Sequence, residues 1–152
     1  MKIFSVAFTH EGKIPSKYSC DGENVSIPLE FSDVPKNAKS LALIMDDPDI
    51  PEFVKQKFGI TMFDHWVLFN IKPDVTKVAE NSAPGTQGKN SSGNAKYTGP
   101  CPPDREHRYF FKLFALDTML TLPAGSTKAQ VLEAIKGHIL TEAVLMGKYQ
   151  RV

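Results

Sequence analysis

The chain has 152 residues, 41% of them hydrophobic and 10% aromatic, and its 18 Lys and Arg against 17 Asp and Glu give a formal charge of +1. This is the length of one ordinary domain with enough apolar side chains for a core, so we expect a single domain over residues 1–152 and exclude a disordered chain. The mean hydropathy of -0.23 excludes a protein with integral membrane segments, and the balanced charge gives no indication of nucleic acid as a partner.

The first residues, MKIFSVAFTHEGK, contain a short alternating stretch that predicts a strand over residues 3–8. They lack the continuous run of ~7–15 apolar residues that a signal peptide needs, so we expect a cytoplasmic protein. The two cysteines are Cys20 and Cys101. For a cytoplasmic chain we expect two free thiols, although the two cysteines could form a disulfide if the fold brought them together. Because the chain has no CxxC motif, a zinc knuckle is excluded.

Three apolar runs predict the main strands, at residues 40–45, 65–71 and 108–116. The second is rich in aromatic and β-branched residues, and the third is apolar on both of its faces, which indicates burial on both sides. Residues 84–103, between the second and third runs, have no periodicity. A loop of about twenty residues in a compact domain is usually functional or disordered, and the rigid, proline-rich segment 99–103 favours an ordered, functional loop.

One helix is predicted late in the chain, where Thr127 and Gln130 form a capping box. An apolar stripe of Val131, Leu132 and Ile135 follows, and Gly137 ends the helix. Residues 142–149 fit a helix or a strand. With eleven prolines and ten glycines breaking the chain, the sequence predicts a mainly β fold with a few short helices, one of them near the C-terminus.

Three short polar segments stand at the ends of predicted strands, namely Asp46 to Pro51, Asp64 to Trp66, and His107 to Tyr109. Each alone has an ordinary structural explanation, since Asp before Pro is a common turn and a strand-end histidine is usually a rim residue. Because the strand ends of a β-sandwich cluster in space, the three segments together predict a small polar cavity. Such a cavity would bind a phosphate or carboxylate through charge-assisted hydrogen bonds.

Taken in order, these segments and their neighbours resemble a known family. They read Tyr18-x-Cys20-Asp21-Gly22-x-Asn24, Asp47-Pro48-Asp49-x-Pro51, His65-Trp66, Gly99-Pro100-Cys101-Pro102-Pro103 and His107-Arg108-Tyr109. From about residue 4 to residue 151 the chain resembles the phosphatidylethanolamine-binding proteins (PEBPs), above all their prokaryotic Raf kinase inhibitor-like branch. The resemblance implies a β-sandwich built around a central sheet, with few helices and an anion-binding pocket at one edge.

The resemblance also implies a function, which is the non-enzymatic binding of phosphate-like or acetate-like anions and phospholipid head groups. Carried over motif by motif, the expected ligand-binding residues are Asp47, Asp49, His65, Pro102, Pro103, His107 and Tyr109. We expect no catalytic residue, no metal and no cofactor. The inhibition of kinases and proteases by eukaryotic members does not follow for a prokaryotic-type chain. A regulatory, inhibitor-like protein partner is nevertheless compatible with ligand binding, and a homodimer is compatible with the resemblance to prokaryotic members.

The chain departs from the family pattern at two places beside this pocket. Phe63 and Ile60 stand near positions where animal members carry Trp and Tyr, so we expect a thinner aromatic lining. Asp104, Arg105 and Glu106 stand where a glycine is typical, and we expect this bulkier turn to cover part of the pocket mouth.

The alternative to a binding protein is a hydrolase that uses the same cluster of acids and histidines. Asp47 or Asp49 with His65 and His107 has the composition of a metal-assisted or acid–base site. Against this alternative, no activated nucleophile is apparent in the sequence. An Asp-Pro-Asp spacing also does not match a standard set of metal ligands.

Overall fold

The computed structural model describes residues 1–152, which form eight strands, two short α-helices and one turn of 3-10 helix. The elements, in chain order, are β1 (Lys2–Phe4), the 3-10 turn (Ser16–Tyr18), β2 (Leu29–Ser32), β3 (Ser40–Asp47), α1 (Glu52–Phe58), β4 (Phe63–Ile71), β5 (Lys77–Val78), β6 (Thr86–Gln87), β7 (His107–Leu116), α2 (Lys128–Ile135) and β8 (Ile139–Tyr149).

The strands form two antiparallel sheets. The small sheet has the order β1-β2-β5, and the central sheet has the order β6-β4-β3-β7-β8. In the central sheet β3 is hydrogen-bonded to β4 along one edge and to β7 along the other. The predicted mainly β sandwich around a central sheet is therefore confirmed.

The main core lies between the two sheets and contains 21 buried residues. Side chains along a strand alternate between the two faces of its sheet, so Leu41, Leu43 and Met45 of β3 face this core. The small sheet contributes Leu29 and Phe31 from its side. We call the core-facing side of the central sheet its inner face. The candidate functional site lies at one end of this face.

The outer face of the central sheet is covered by α2. Ala42 and Ile44 of β3 belong to a second cluster of nine buried residues, which includes Val131 and Ile135 of the helix. The central strands are therefore buried on both faces, which is why they read as continuous apolar runs and not as alternating ones. The Thr127 capping box is present as predicted, with the Thr127 side chain accepting from the Gln130 N–H.

Several local predictions need correction. The first strand ends at Phe4, short of the predicted residue 8, although Phe8 is still buried in the main core. Leu132 is 37% exposed, so the apolar stripe of α2 consists of Val131 and Ile135 only. The segment 142–149, whose sequence fits a helix or a strand, lies within β8. No helix of the chain is both long enough and apolar enough to cross a bilayer, and the cytoplasmic location stays a prediction.

The prediction of two free thiols is wrong, because Cys20 and Cys101 form a disulfide. Their Cα atoms lie 5.4 Å apart, within the usual range for a disulfide, although 81 positions separate them in sequence. The Cys20 N–H donates to the Pro100 carbonyl oxygen, and the Tyr97 hydroxyl donates to the Tyr18 carbonyl oxygen at 2.7 Å. Loop packing, which the sequence pattern does not reveal, thus brings the two sulfur atoms together.

Candidate functional site

A cavity of about 310 Å³ opens at the end of the central sheet, where β3 ends and β7 begins. We call it the strand-end cavity. It is lined by six of the seven residues predicted to bind a ligand, which are Asp47, His65, Pro102, Pro103, His107 and Tyr109. An apolar wall comes from the segment around α1 and from β4, with Ile50, Pro51, Phe53, Val54 and Phe63, and the lining is completed by Ser92, Thr98, Gly99 and Cys101.

Strand alternation places Asp47, His107 and Tyr109 on the same face. Asp47 follows Leu41, Leu43 and Met45 at odd positions of β3, and His107 and Tyr109 precede Phe111 at odd positions of β7. Because β3 and β7 are antiparallel, the end of one lies beside the start of the other, with Asp46 opposite Phe110. The three side chains therefore meet at the rim of the main core.

His65 reaches the cavity through an irregularity of β4. The register between β3 and β4 shifts between the pairs Met45–Trp66 and Asp46–Asp64, so that His65 is the extra residue of a β-bulge. Bulges commonly re-aim a side chain next to a functional site. Here the imidazole lies edge-on to the Tyr109 ring, with their centroids 5.2 Å apart.

The surroundings of His65 determine which of its nitrogens carries the proton. Its Nδ1–H donates to the Thr98 carbonyl oxygen at 2.8 Å, so in the neutral imidazole the lone pair is on Nε2. Burial lowers the pKa of His65 below its ordinary value and outweighs the effect of the nearby carboxylates. In the free protein Nε2 is therefore a hydrogen-bond acceptor at neutral pH, and it becomes a donor only when His65 gains a proton.

His107 is in the opposite electrostatic situation, because a carboxylate binds each of its ring nitrogens. Nδ1–H donates to Asp47 at 2.7 Å, and Nε2–H donates to Asp104 at 2.6 Å. Burial acts to lower the pKa of His107, but the two carboxylates outweigh burial and raise it above its ordinary value. Asp47 thus orients a charged imidazolium. Asp104 was not predicted to belong to this group, and its carboxylate turns back onto His107.

Tyr109 contributes a free hydrogen-bond donor to the cavity. Its side chain is buried, and its hydroxyl has no hydrogen-bond partner within the protein. Burial raises the pKa of Tyr109 far above its ordinary value, so the phenol stays protonated. A buried hydroxyl without a partner costs stability, and an acceptor brought by a ligand would remove that cost.

Asp49 is the one predicted ligand-binding residue that does not line the cavity. Its carboxylate is bound by Arg108 through the backbone N–H and through the guanidinium, with contacts of 2.8 to 2.9 Å. The hydrogen bond from the Arg108 side chain is the main reason why the pKa of Asp49 falls to about 2. Asp49 therefore fastens the turn after β3 to the start of β7. Arg105 is exposed and lies outside the cavity lining.

The proline-rich wall of the cavity is held in place before any ligand arrives. The Gly99 N–H donates to the Asn24 side chain at 2.8 Å, and a Cβ at residue 99 would overlap the Tyr18 carbonyl oxygen. Only glycine fits this close approach. The Cys20–Cys101 disulfide adds a covalent link beside Pro102.

The donors and acceptors in the cavity limit its chemistry. Neither His65 nor His107 is hydrogen-bonded to a hydroxyl or a thiol, and the sulfur of Cys101 is in the disulfide. No group of three or more His, Cys, Asp and Glu side chains has an arrangement that could hold a metal ion. What the cavity offers is a phenol donor, a histidine that can become a donor, and an apolar wall.

Comparisons with known proteins identify relatives of this chain. Residues 4–150 match the family model described as phosphatidylethanolamine-binding protein. A UPF0098 protein of Methanothermobacter thermautotrophicus is 51% identical over 158 residues, and one of Chlamydia trachomatis is 46% identical over 152 residues; each comparison covers 99% of both chains.

Two solved structures share the fold over nearly the whole chain. A PEBP homologue from Chlamydia trachomatis, CT736, has a TM-score of 0.94 at 45% identity, with 99% of this chain and 97% of that chain covered. YbcL of Escherichia coli, described as a member of the mammalian PEBP family, has a TM-score of 0.86 at 26% identity, with 99% and 98% covered. With a family model that matches almost every residue and relatives of such identity, the chain belongs to the phosphatidylethanolamine-binding protein family.

Proposed function

We propose that this protein is a non-catalytic ligand-binding protein, whose strand-end cavity takes a small anionic group such as a phosphate or a phospholipid head group. The observation that carries the proposal is the Tyr109 hydroxyl, which is buried without a partner beside His65. A phosphate oxygen accepting from this hydroxyl would satisfy it, and a hydrogen bond to a charged acceptor is stronger than one to a neutral acceptor.

Binding of the anion would be coupled to proton uptake by His65. In its neutral form His65 offers only a lone pair at Nε2, which accepts from a protonated phosphate oxygen but repels an unprotonated one. A proton on Nε2 would convert the group into a charged donor. His107 donates through both ring nitrogens to Asp47 and Asp104, so these carboxylates balance its positive charge, and His65 is the imidazole that would supply a donor to the anion.

The rest of the cavity fits the organic part of a phosphate ester. Ile50, Val54 and Phe63 supply apolar surface opposite the polar residues, and Pro102 and Pro103 supply a stiff wall. A binding site that is formed in advance costs less ordering entropy when the ligand arrives.

The same contacts favour binding over hydrolysis. A general base must be able to reach a proton of the attacking group, but both nitrogens of His107 are engaged by carboxylates. His65 donates through Nδ1 to a backbone carbonyl and touches no nucleophile. This supports the proposal that the acids and histidines hold a ligand and do not turn it over.

Replacing Tyr109 by Phe tests the proposal. We expect the affinity for methyl phosphate, measured by calorimetry at pH 6, to fall about 10- to 100-fold, which corresponds to the loss of ~1.5–3 kcal/mol for a hydrogen bond to a charged group. The free energy of unfolding should stay the same or rise, because Tyr109→Phe removes a buried hydroxyl that has no partner in the free protein.

The matched control is Tyr149→Phe, which removes a phenol outside the cavity that donates to Asp21. It should leave the affinity for methyl phosphate unchanged. If Tyr109→Phe binds methyl phosphate as tightly as the wild type, or if the wild-type protein hydrolyses a phosphate ester, the proposal is wrong.

A further inference from the structure

A second and larger cavity adjoins the strand-end cavity. It has a volume of about 530 Å³ and is lined by residues 24–26, 81–83, 92, 94 and 96–98 together with Trp66 and Gln87. We call it the polar groove. Ser92 and Thr98 line both cavities, so the two cavities are adjacent.

The lining of the polar groove is rich in amide and hydroxyl groups and contains no carboxylate. Lys96 is its single charged side chain. Amide and hydroxyl groups can each donate and accept hydrogen bonds, which is the property that matches the hydroxyl groups of a sugar or a polyol. The side chains of Asn81, Gln87 and Asn94 make no hydrogen bond within the protein and are available to a ligand.

Trp66 gives the groove an aromatic wall and a donor without a partner. Its side chain is 1% exposed and packs edge-on against Tyr97, with ring centroids 5.4 Å apart. The indole N–H is buried and has no acceptor in the protein. Buried polar groups in folded proteins nearly always find a partner, so this N–H points to an acceptor supplied from outside the chain.

The loop that forms one side of the groove is fixed by a buried side chain. The Asn90 side-chain oxygen accepts from the N–H groups of Ser92 and Asn94, and its amide nitrogen donates to the Lys96 carbonyl oxygen. Thr98 is tied to His65 in both directions, through its carbonyl oxygen and its N–H. The groove is therefore preformed before any ligand binds, like the strand-end cavity beside it.

We propose that the polar groove binds an uncharged hydroxylated group, a sugar ring or a polyol. Because the two cavities share Ser92 and Thr98, this group would be the hydroxylated part of a ligand whose phosphate occupies the strand-end cavity. The link to a phosphate in the strand-end cavity rests on the proposed function, whereas the binding of a hydroxylated group rests on the groove alone.

The test compares three probes by calorimetry and by NMR of backbone amides, namely methyl phosphate, glucose 6-phosphate and methyl glucoside. We expect wild-type protein to bind glucose 6-phosphate about tenfold more tightly than methyl phosphate, the gain given by two added hydrogen bonds. The double variant Gln87→Ala/Asn94→Ala should lose this gain and keep its affinity for methyl phosphate. The control Asn37→Ala removes an exposed amide from the turn between β2 and β3, outside both cavities, and should change neither affinity.

Methyl glucoside tests the groove without the phosphate. It should shift the amide signals of residues 92–98 in wild-type protein and not in the double variant. Equal affinities for the two phosphates, with no shifts caused by methyl glucoside, would overturn the proposal for the groove and leave the proposed function standing. Shifts caused by methyl glucoside in a protein that does not bind methyl phosphate would support the groove and overturn the proposed function.

Discussion

Asp47→Ala should destabilise the protein by ~3–5 kcal/mol, the usual cost of removing one partner of a buried ion pair. The side chains of Asp47 and His107 are 3% and 1% exposed, so the imidazolium left behind would have little access to water. The Asp47 carboxylate also accepts from the Asp49 N–H at 2.7 Å, which fixes the turn after β3. Equilibrium unfolding in urea measures the loss.

The pH dependence of this loss follows from the sign of the pKa shift. The carboxylates raise the pKa of His107 in the folded protein, so their stabilisation is complete below ~6.5, the ordinary value for His, and is lost as pH rises through the folded value. The difference in stability between wild type and Asp47→Ala should therefore be largest at acid pH and shrink at alkaline pH.

Asp104→Ala is the matched control for Asp47→Ala, because it removes the other carboxylate on the same imidazole. That side chain is 34% exposed, so we expect a loss below ~1 kcal/mol. Equal losses for the two variants, or a loss for Asp47→Ala that does not change with pH, would contradict the account of His107 as a buried cation oriented by Asp47.

Reduction of the Cys20–Cys101 disulfide should lower the free energy of unfolding by ~4 kcal/mol. With a sequence separation of 81 between the cysteines, the disulfide closes a long loop and so restricts the unfolded chain strongly. For a chain of this length, such a loss corresponds to a decrease in Tm of roughly 8–16 °C, which calorimetric scans with and without reductant would measure.

The double variant Cys20→Ala/Cys101→Ala provides the control for chemical reduction. Its Tm should lie near that of the reduced wild type and should not respond to reductant. Thiol titration of the denatured, unreduced protein should find no free thiol. Two reactive thiols, or a wild-type Tm that is insensitive to reductant, would show that the disulfide is absent or contributes nothing.

The central strands were predictable from the sequence, because a strand buried on both faces has a continuous run of apolar residues. β3, β4 and the second half of β7 are covered on both faces, and each strand was found from its largely apolar run. α2 was found from its capping box. By contrast, α1 has no buried residue and therefore no apolar periodicity to detect. Its flanking Pro51 and Gly59, which takes a left-handed φ of 65°, were the available signal.

The composition of the strand-end cavity was predictable because it depends on strand ends. The clustering of strand ends and the family resemblance placed His65, His107 and Tyr109 together, but the β-bulge through which His65 reaches the cavity was not predictable. The role of Asp49 was not predictable in this way, since it depends on the reach of the Arg108 guanidinium. The carboxylate of Asp104 on His107 and the contact between Cys20 and Cys101 likewise depend on loop conformations that no periodic pattern encodes.

The titration of His65 with and without methyl phosphate, followed by NMR of the imidazole nitrogens, is the most direct measurement of anion binding in the strand-end cavity. Without ligand His65 should titrate below ~6.5, because burial lowers its pKa, and His107 should titrate above that value. Since the protonated form of His65 donates to the anion, saturating methyl phosphate should raise the pKa of His65, and affinity should increase as pH falls. A titration curve of His65 that methyl phosphate does not move would contradict the account.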